Sequence, residues 1–375
     1  MKNVLFMGVG DLHVERDDGV DMFRHVQTTL DEAELLFANA EQMYSPLAGV
    51  ADGHTTYNHP NGDEFLKDVG FDIISLANNH TMDWGADVLL DTIKRIEAQG
   101  IRCVGAGATI QEARAAKVVE VNGLSVGFLA YCCIGPFHYA AGEDTAGYAP
   151  MHARTFYEQV DLQPGTPPVI RTLPEPDELL ALIDDVKRLR QSCDVVVVSF
   201  HWGVHFVPFT VPEYCYSVGH ACVDAGAHLV IGTQPHMLKG FEIYHGSPIF
   251  YSTGNFALEM DLNNPAAHQR RINRLGMLMK HYGFSIDPAY PSFPMHPDGK
   301  YSLIVEADLN DEGVAACRVI PVLINGNAEP EVVSRGTPEG ERVVDYIRQT
   351  VTSEGLNAQL EWTSDSRLAI EPLTA

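Results

Sequence analysis

Five short clusters in this chain end in side chains suited to divalent metal ions, and they lie far apart in sequence. They are GDLH (Gly10 to His13), NAE (Asn39 to Glu41), ANNHTMDWG (Ala77 to Gly85), FHWG (Phe200 to Gly203) and GTQPHMLKG (Gly232 to Gly240). Carboxylate, imidazole and amide oxygen together suit zinc, manganese, iron or magnesium, and no cluster offers paired cysteines for a soft ion. About seven candidate donors exceed the three or four protein ligands of one catalytic zinc, so two ions are expected. A lone Asp-x-His at a strand end is also an ordinary turn with a solvated histidine. The series of five points to one site.

Elements that could gather these donors precede several of them. NVLFMGV runs into Asp11, DVVVVSF into His201, and HLVIG into Gln234 and His236. A parallel sheet delivers side chains from separate strands to its carboxyl edge, so donors spread over more than half the chain can converge there. VLFMGV is followed by an amphipathic stretch, VDMFRHVQTTLDEAEL, and then by the strand LLFANAE. FDIISLANN leads into GADVLLDTIKRIEAQG, whose Val88, Leu89, Ile93 and Ile96 share a helical face and whose Gly100 stops the helix. RCVGAG, AAKVVEV and LSVGFLAY read as short strands, the last two joined by a turn at Asn122 and Gly123. PDELLALIDDVKRLRQS and VPEYCYSVGHACVDAG read as helices. FEIYHG with SPIFYSTGNF, and KYSLIVEADL with ACRVIPVLI, read as hairpins. The result is an α/β layered arrangement with an antiparallel component and no internal repeat.

Composition narrows the class. With 375 residues, 45% of them hydrophobic, the chain can bury a large core. A formal net charge of −25, from 25 Lys and Arg against 50 Asp and Glu, disfavours a nucleic-acid partner or an anionic membrane surface. The start MKN passes directly into a strand, and no apolar run approaches the ~20 residues of a spanning helix. A cytoplasmic protein without a membrane anchor is expected. Seven cysteines without regular spacing fit a reducing compartment, and Cys132 and Cys133, beside the strand SVGFLAY, read as core residues rather than nucleophiles.

The clusters, in their order, resemble those of the CapA family, proteins of poly-gamma-glutamate capsule synthesis whose fold is related to calcineurin-like metallophosphoesterases. Ser75 to Tyr131 and Gly226 to Phe256 carry most of the resemblance, which covers roughly the first two thirds of the chain. It implies a metallophosphoesterase-like β-sheet core flanked by helices over residues 1–330. Insertions would fall at about 134–176 and 257–300, and residues 331–375 would form an extension packed on the same domain. It also implies two divalent ions, of manganese, zinc or iron. Asp11 and His13 would hold the first, Glu41 would bridge, Asn79 and His201 would hold the second, and His236 would return to the first. His80 would be an acid/base group, and Asn255 would cap a turn or brace the metal shell. The chain departs from the family twice: Gln234 stands where Gly-x-His-Pro-His has its first histidine, and His205 where a glutamate usually follows HWG. Both changes fall where the second ion would sit.

The expected reaction is hydrolysis of a phosphoester, an amide or a gamma-glutamyl bond by metal-activated water, on a small-molecule, peptide or polyglutamyl substrate. A different chemistry on the same scaffold is epimerisation at Cα, with His80 and His205 as opposed bases. A non-catalytic subunit of a polymer-synthesis complex is a third reading. The two long segments, 134–176 and 257–300, are read as lids because both begin after strand ends on the site edge. Within the second, Arg270, Arg271 and Arg274, with Lys280 and His281, would attract a substrate carboxylate or phosphate, although the same residues fit a solvated helix face.

Overall fold

The computed structural model of the chain describes residues 3–49, 56–260, 262, 268–364 and 366–372, with the side chains of 268–270 outside the description. Apolar, β-branched runs become central strands. β1 (Val4–His13) is buried along nearly its whole length, so its VLFMGV run contacts apolar layers on both faces. β2 (Leu35–Ala40), β3 (Ile73–Ser75) and β4 (Arg102–Val104) follow it in parallel, in that order. On the other side of β1 lie the antiparallel strands Tyr301–Asn310 and Gly313–Ile324, and then Leu368–Pro372 and Ala358–Trp362. The carboxyl-terminal strands thus extend the first sheet, and the helix Pro338–Ser353 packs with them, burying Val343, Val344, Ile347 and Val351.

The second sheet has six strands. Its middle is Leu124–Cys132, Val195–His201 and Leu229–Thr233 in parallel, flanked by Lys117–Val121 and the hairpin Phe241–Tyr244 with Ser247–Phe250. The sheets face one another across a shared apolar layer. Phe128 of the second sheet lies 6.2 Å from both Phe6 and Phe37 of the first, ring centre to ring centre. Helices Pro176–Arg190 and Glu213–Ala225 pack on the second sheet, and helices Gly62–Val69 and Ala86–Ala98 bury Phe65, Leu66, Val88 and Leu89 against the first. The architecture is α/β and layered, as expected. Asn122 and Gly123 make the expected turn at φ of 51° and 76°.

Three expectations meet a different outcome or a refinement. The amphipathic stretch from Val20 is no long helix: it breaks into a 3-10 turn, Val20–Phe23, and a single α-turn, Gln27–Leu30. Met22, Phe23, Val26 and Leu30 all reach the core without a continuous helix. Segment 134–176 holds a two-stranded hairpin, Ala153–Glu158 with Val169–Pro174, docked on the second sheet's side through Arg171 and Glu213. Among the described residues it lines no part of the cavity described below and approaches the site from behind, where the Tyr139 hydroxyl lies 3.5 Å from Asp83. Cys132 and Cys133 are buried, and burial pushes the Cys132 thiol up to about 12, which suits core residues rather than nucleophiles. Among the described residues no helix is long and apolar enough to cross a membrane.

Candidate metal centre

Both sheets aim the carboxyl ends of their parallel strands at one place. Asp11 sits near the end of β1 at a register shift that interrupts its pairing with β2 and with the strand Asn255–Leu258. Such bulges re-aim a side chain beside a functional site. Gly10 makes the approach possible, because a Cβ there would lie 2.0 Å from the carbonyl oxygen of Gly254, whose acceptor is used by the Asp11 N–H at 3.1 Å. Glu41 follows β2, and His80 follows β3. His201 ends its strand, while Gln234 and His236 follow Leu229–Thr233. The last two take positive φ, 97° and 54°. Left-handed non-glycine backbone costs about 1–3 kcal/mol per residue and clusters at functional sites.

The centre of the arrangement is the Glu41 carboxylate. It is 3% exposed, and neither oxygen has a hydrogen-bond partner among the described residues. Three imidazoles surround its Oε1: the Nε2 atoms of His201, His236 and His80 lie at 3.5, 3.7 and 3.8 Å. Asp11, fully buried, is 3.8 Å from the Nδ1 atoms of His201 and His236, and accepts from the Asn39 amide at 2.8 Å and the Gln234 N–H at 3.1 Å. One donor atom each from Asp11, Glu41 and His236 can be chosen so that all lie within 4.8 Å of one another. Asn79 Oδ1 is 2.8 Å from His201 Nε2.

Each histidine is fixed from behind. His236 Nδ1 meets Asn255 Oδ1 at 2.8 Å, and the Asn255 amide nitrogen donates to the carbonyls of His236 and Gly299. His201 Nδ1 lies 3.0 Å from the Thr233 hydroxyl. His80 Nδ1 lies 2.7 Å from Asp83, a buried carboxylate. Partners of this kind set the tautomer and ring angle of a metal-ligating histidine. His13 is placed at the edge of the group: its Nδ1 contacts the Glu259 carbonyl at 2.7 Å and its Nε2 accepts from the Tyr57 N–H at 3.4 Å. His205 stacks on His236, ring centres 5.1 Å apart, and its buried Nε2 has no partner among the described residues.

Burial sets the charge state. It holds His201 down to about 3 and keeps His236, His13 and His205 below the usual imidazole value, so all four present neutral rings. His80 moves the other way. Burial opposes its charge, but the Asp83 carboxylate and then Glu41 outweigh burial and raise its pKa. Asp11 is lifted to about 7, first by burial and then by the charge of Glu41. Two buried carboxylates side by side without a cation are a costly arrangement, and a divalent ion relieves it. The orphaned oxygens of Glu41 and Gln234, the orphaned nitrogen of His205 and the neutral imidazoles therefore fit a metal centre.

Of the residues expected from sequence, the structure gathers Asp11, Glu41, His80, His201, Asn79, Gln234, His236 and His205 at this point, with His13 beside them and Asn255 behind. Arg271 and Arg274 project from the helix His268–Tyr282, which roofs a cavity of about 410 Å³ above the group. The side chain of Arg270 lies outside the described residues. Asp83, Asn39 and Thr233 are the positioning residues to which sequence reasoning assigns no role. A His-x-x-Asp spacing on one turn is the available signal for Asp83, whereas the Glu259 carbonyl leaves none.

Gln234 gives a direct test of its own position. Its Oε1 is buried without a partner among the described residues, and an amide oxygen is a weaker donor than imidazole. If Gln234 belongs to a metal shell, Gln234→His should tighten metal retention, measured as metal remaining per chain after dialysis. Unchanged retention and unchanged kinetics would remove the residue from the site.

The sequence profile of the family described as bacterial capsule synthesis protein PGA_cap matches residues 6–260, which include every donor above. Among curated relatives, the PGA biosynthesis protein CapA of Bacillus subtilis (strain 168) is 29% identical over 195 residues, 52% of this chain and 44% of that protein. The capsule biosynthesis protein CapA of Bacillus anthracis is 31% identical, covering 52% and 42%. The matched stretch spans less than half the length of either relative. Among solved structures, a hypothetical protein from Thermus thermophilus aligns at a TM-score of 0.46 and 14% identity, over 84% of this chain and 98% of that one. The calcineurin-like phosphoesterase YfkN from Bacillus subtilis aligns at 0.42 and 15%, over 93% and 97%. With its profile match running from the first strand past the last of the donor-bearing loops, the chain belongs to the PGA_cap family of bacterial capsule synthesis proteins.

Proposed function

We propose that this protein is a metal-dependent hydrolase that holds two divalent ions and cleaves a phosphoester or an amide, gamma-glutamyl bonds included. The observation that carries the reading is the Glu41 carboxylate, buried without a hydrogen bond among the described residues and surrounded by three imidazole Nε2 atoms within 3.8 Å. Asp11, Glu41 and His236 would hold one ion, and Glu41, Asn79, His201 and Gln234 the other, with His13 at the margin of the first. Bound divalent ions supply Lewis acidity, which makes water more acidic and polarises an ester or amide oxygen. His80, held by Asp83, keeps a proton on Nε2 facing the cavity and gives it to the departing oxygen or nitrogen as that bond breaks and water adds to phosphorus or carbon. The hydroxyl of Thr233 and the amides of Asn39 and Asn255 keep the surrounding donors in register.

The relatives named for PGA and capsule biosynthesis bring glutamyl amides into the substrate panel. Seven buried, unpaired thiols accord with a reducing, cytoplasmic setting. The test combines metal analysis with turnover in oxygen-18 water. Protein loaded with manganese, zinc or iron should convert a phosphoester or gamma-glutamyl amide into two fragments, one carrying solvent oxygen, and lose that ability on chelation. Unbound metal and no fragments from any substrate would leave the non-catalytic synthesis subunit as the reading.

A second chemistry has one observation of its own. His205, with its orphaned Nε2, and His80 both face the cavity. If substrate mass stays unchanged while deuterium from heavy water enters Cα, these two groups exchange a proton there and epimerisation replaces hydrolysis.

A further inference from the structure

The roof of the cavity differs in character from its floor. Glu41 and the histidines make the floor, whereas Leu258, Met260, Leu275, Leu278, Pro294 and Met295 make apolar walls. A volume of about 410 Å³ lies within the ~300–1,000 Å³ range of small-molecule pockets. Such walls offer nothing to a run of carboxylates, each of which would lose water without a partner.

The two described arginines of the roof helix play different parts. Arg271 is spent on Glu15, with its two terminal nitrogens at 2.9 and 2.6 Å from the two carboxylate oxygens. Glu15 is itself only 5% exposed at its side chain and lies two residues beyond His13, so this fork ties the roof to the end of β1. Arg274, one turn further along, makes no ion pair among the described residues and lines the same cavity. The same cavity is lined at its floor by Glu41, His80, His205 and His236. A guanidinium over an apolar chamber is a receptor for one planar anion, a carboxylate above all.

Resting on the reading of the Glu41 centre as a substrate site, we propose that the cavity takes a compact amide ending in an apolar amino acid, with the free terminal carboxylate on Arg274 and the side chain between Leu275, Leu278 and Met295. Internal stretches of a polyglutamyl chain are excluded. The scissile bond then faces Glu41 and His80, and the residue released is the apolar amino acid.

Binding to the metal-loaded protein, followed by calorimetry, tests this independently of turnover. Three probes are compared: gamma-glutamyl-leucine, its carboxamide, and gamma-glutamyl-glutamate. The leucine acid should bind about 10- to 100-fold more tightly than the carboxamide, the weight of hydrogen bonds to a charged group, and at least about tenfold more tightly than the glutamate compound. Arg274→Gln should bring acid and carboxamide to similar affinity with metal content unchanged. Arg274→Lys, which keeps the charge without the fork, should restore part of the gap, and a melting curve shows that each variant folds. Equal binding of acid and carboxamide, preference for the glutamate compound, or no binding of any probe overturns the proposal. Tight, selective binding without product would leave the assignment of the ligand standing and overturn hydrolysis, with the release of the amino acid.

Discussion

Glu41→Gln should raise the melting temperature of the metal-free protein by a few degrees and abolish the further rise that added metal is expected to give the wild type. The two effects have opposite signs because the same carboxylate is a liability without a cation and a ligand with one. Glu41 is buried, takes no hydrogen bond among the described residues, and raises the Asp11 pKa through its charge. A buried carboxylate without a hydrogen bond costs several kcal/mol; the protonated His80 Nε2 3.8 Å away offsets part of that, and a neutral amide of the same shape recovers part of the rest. Ligand binding to the native state alone then stabilises by RT ln(1 + [L]/Kd), a gain of about 2.7 kcal/mol at a hundredfold excess over Kd that the variant forfeits. Thermal melts with and without manganese or zinc, alongside metal analysis, read both signs. A lower melting temperature in the metal-free variant, or wild-type metal content, would show that Glu41 is a structural carboxylate.

His80→Gln should lower turnover about 10²- to 10⁴-fold, the usual weight of a positioned acid or base, while leaving metal content intact. The loss depends on the leaving group. A substrate that releases p-nitrophenol needs little protonation and should lose least, whereas an alkyl ester or alkyl amide should lose most. Asp83→Asn should follow the same ordering at smaller amplitude, because Asp83 reaches the reaction through the 2.7 Å contact that holds the His80 ring, while it also accepts from the Thr56 N–H at 2.7 Å. Measuring kcat for a series of leaving groups in wild type and both variants separates proton donation from simple packing. Equal losses across the series would assign His80 to positioning.

Legibility in the sequence follows the range of the interaction. Asp11, His201 and His236 can be placed because each closes or follows an apolar run that can only be a buried parallel strand, and strands of that kind deliver their ends to one edge. Glu41 and His80 come with them. The resemblance also locates Gln234 and His205, although their buried, unpartnered atoms belong to three-dimensional packing that no local pattern encodes. Asp83 lies in plain view within HTMDWG, and its role emerges only once the turn brings it against His80. The difference between Arg271 and Arg274 cannot be read at all, since it depends on Glu15, about 250 positions away in sequence. Segment 134–176 misleads because Gly- and Pro-rich composition describes a loop and a docked hairpin equally well, and the contact of Arg171 with Glu213 that docks it spans distant positions.

The donors of the Glu41 centre are contributed by both sheets, Asp11 and Glu41 from one and His201 and His236 from the other. An ion seated there would be a stitch across the seam between the two halves of the sandwich, joining residues that lie roughly two hundred positions apart. Neither half holds the full set of donors alone, so tight metal capture would have to wait for the halves to dock. On the metal-centre reading, uptake during refolding would time the closing of that seam, and a chain caught with only one sheet formed would leave the ion in solution.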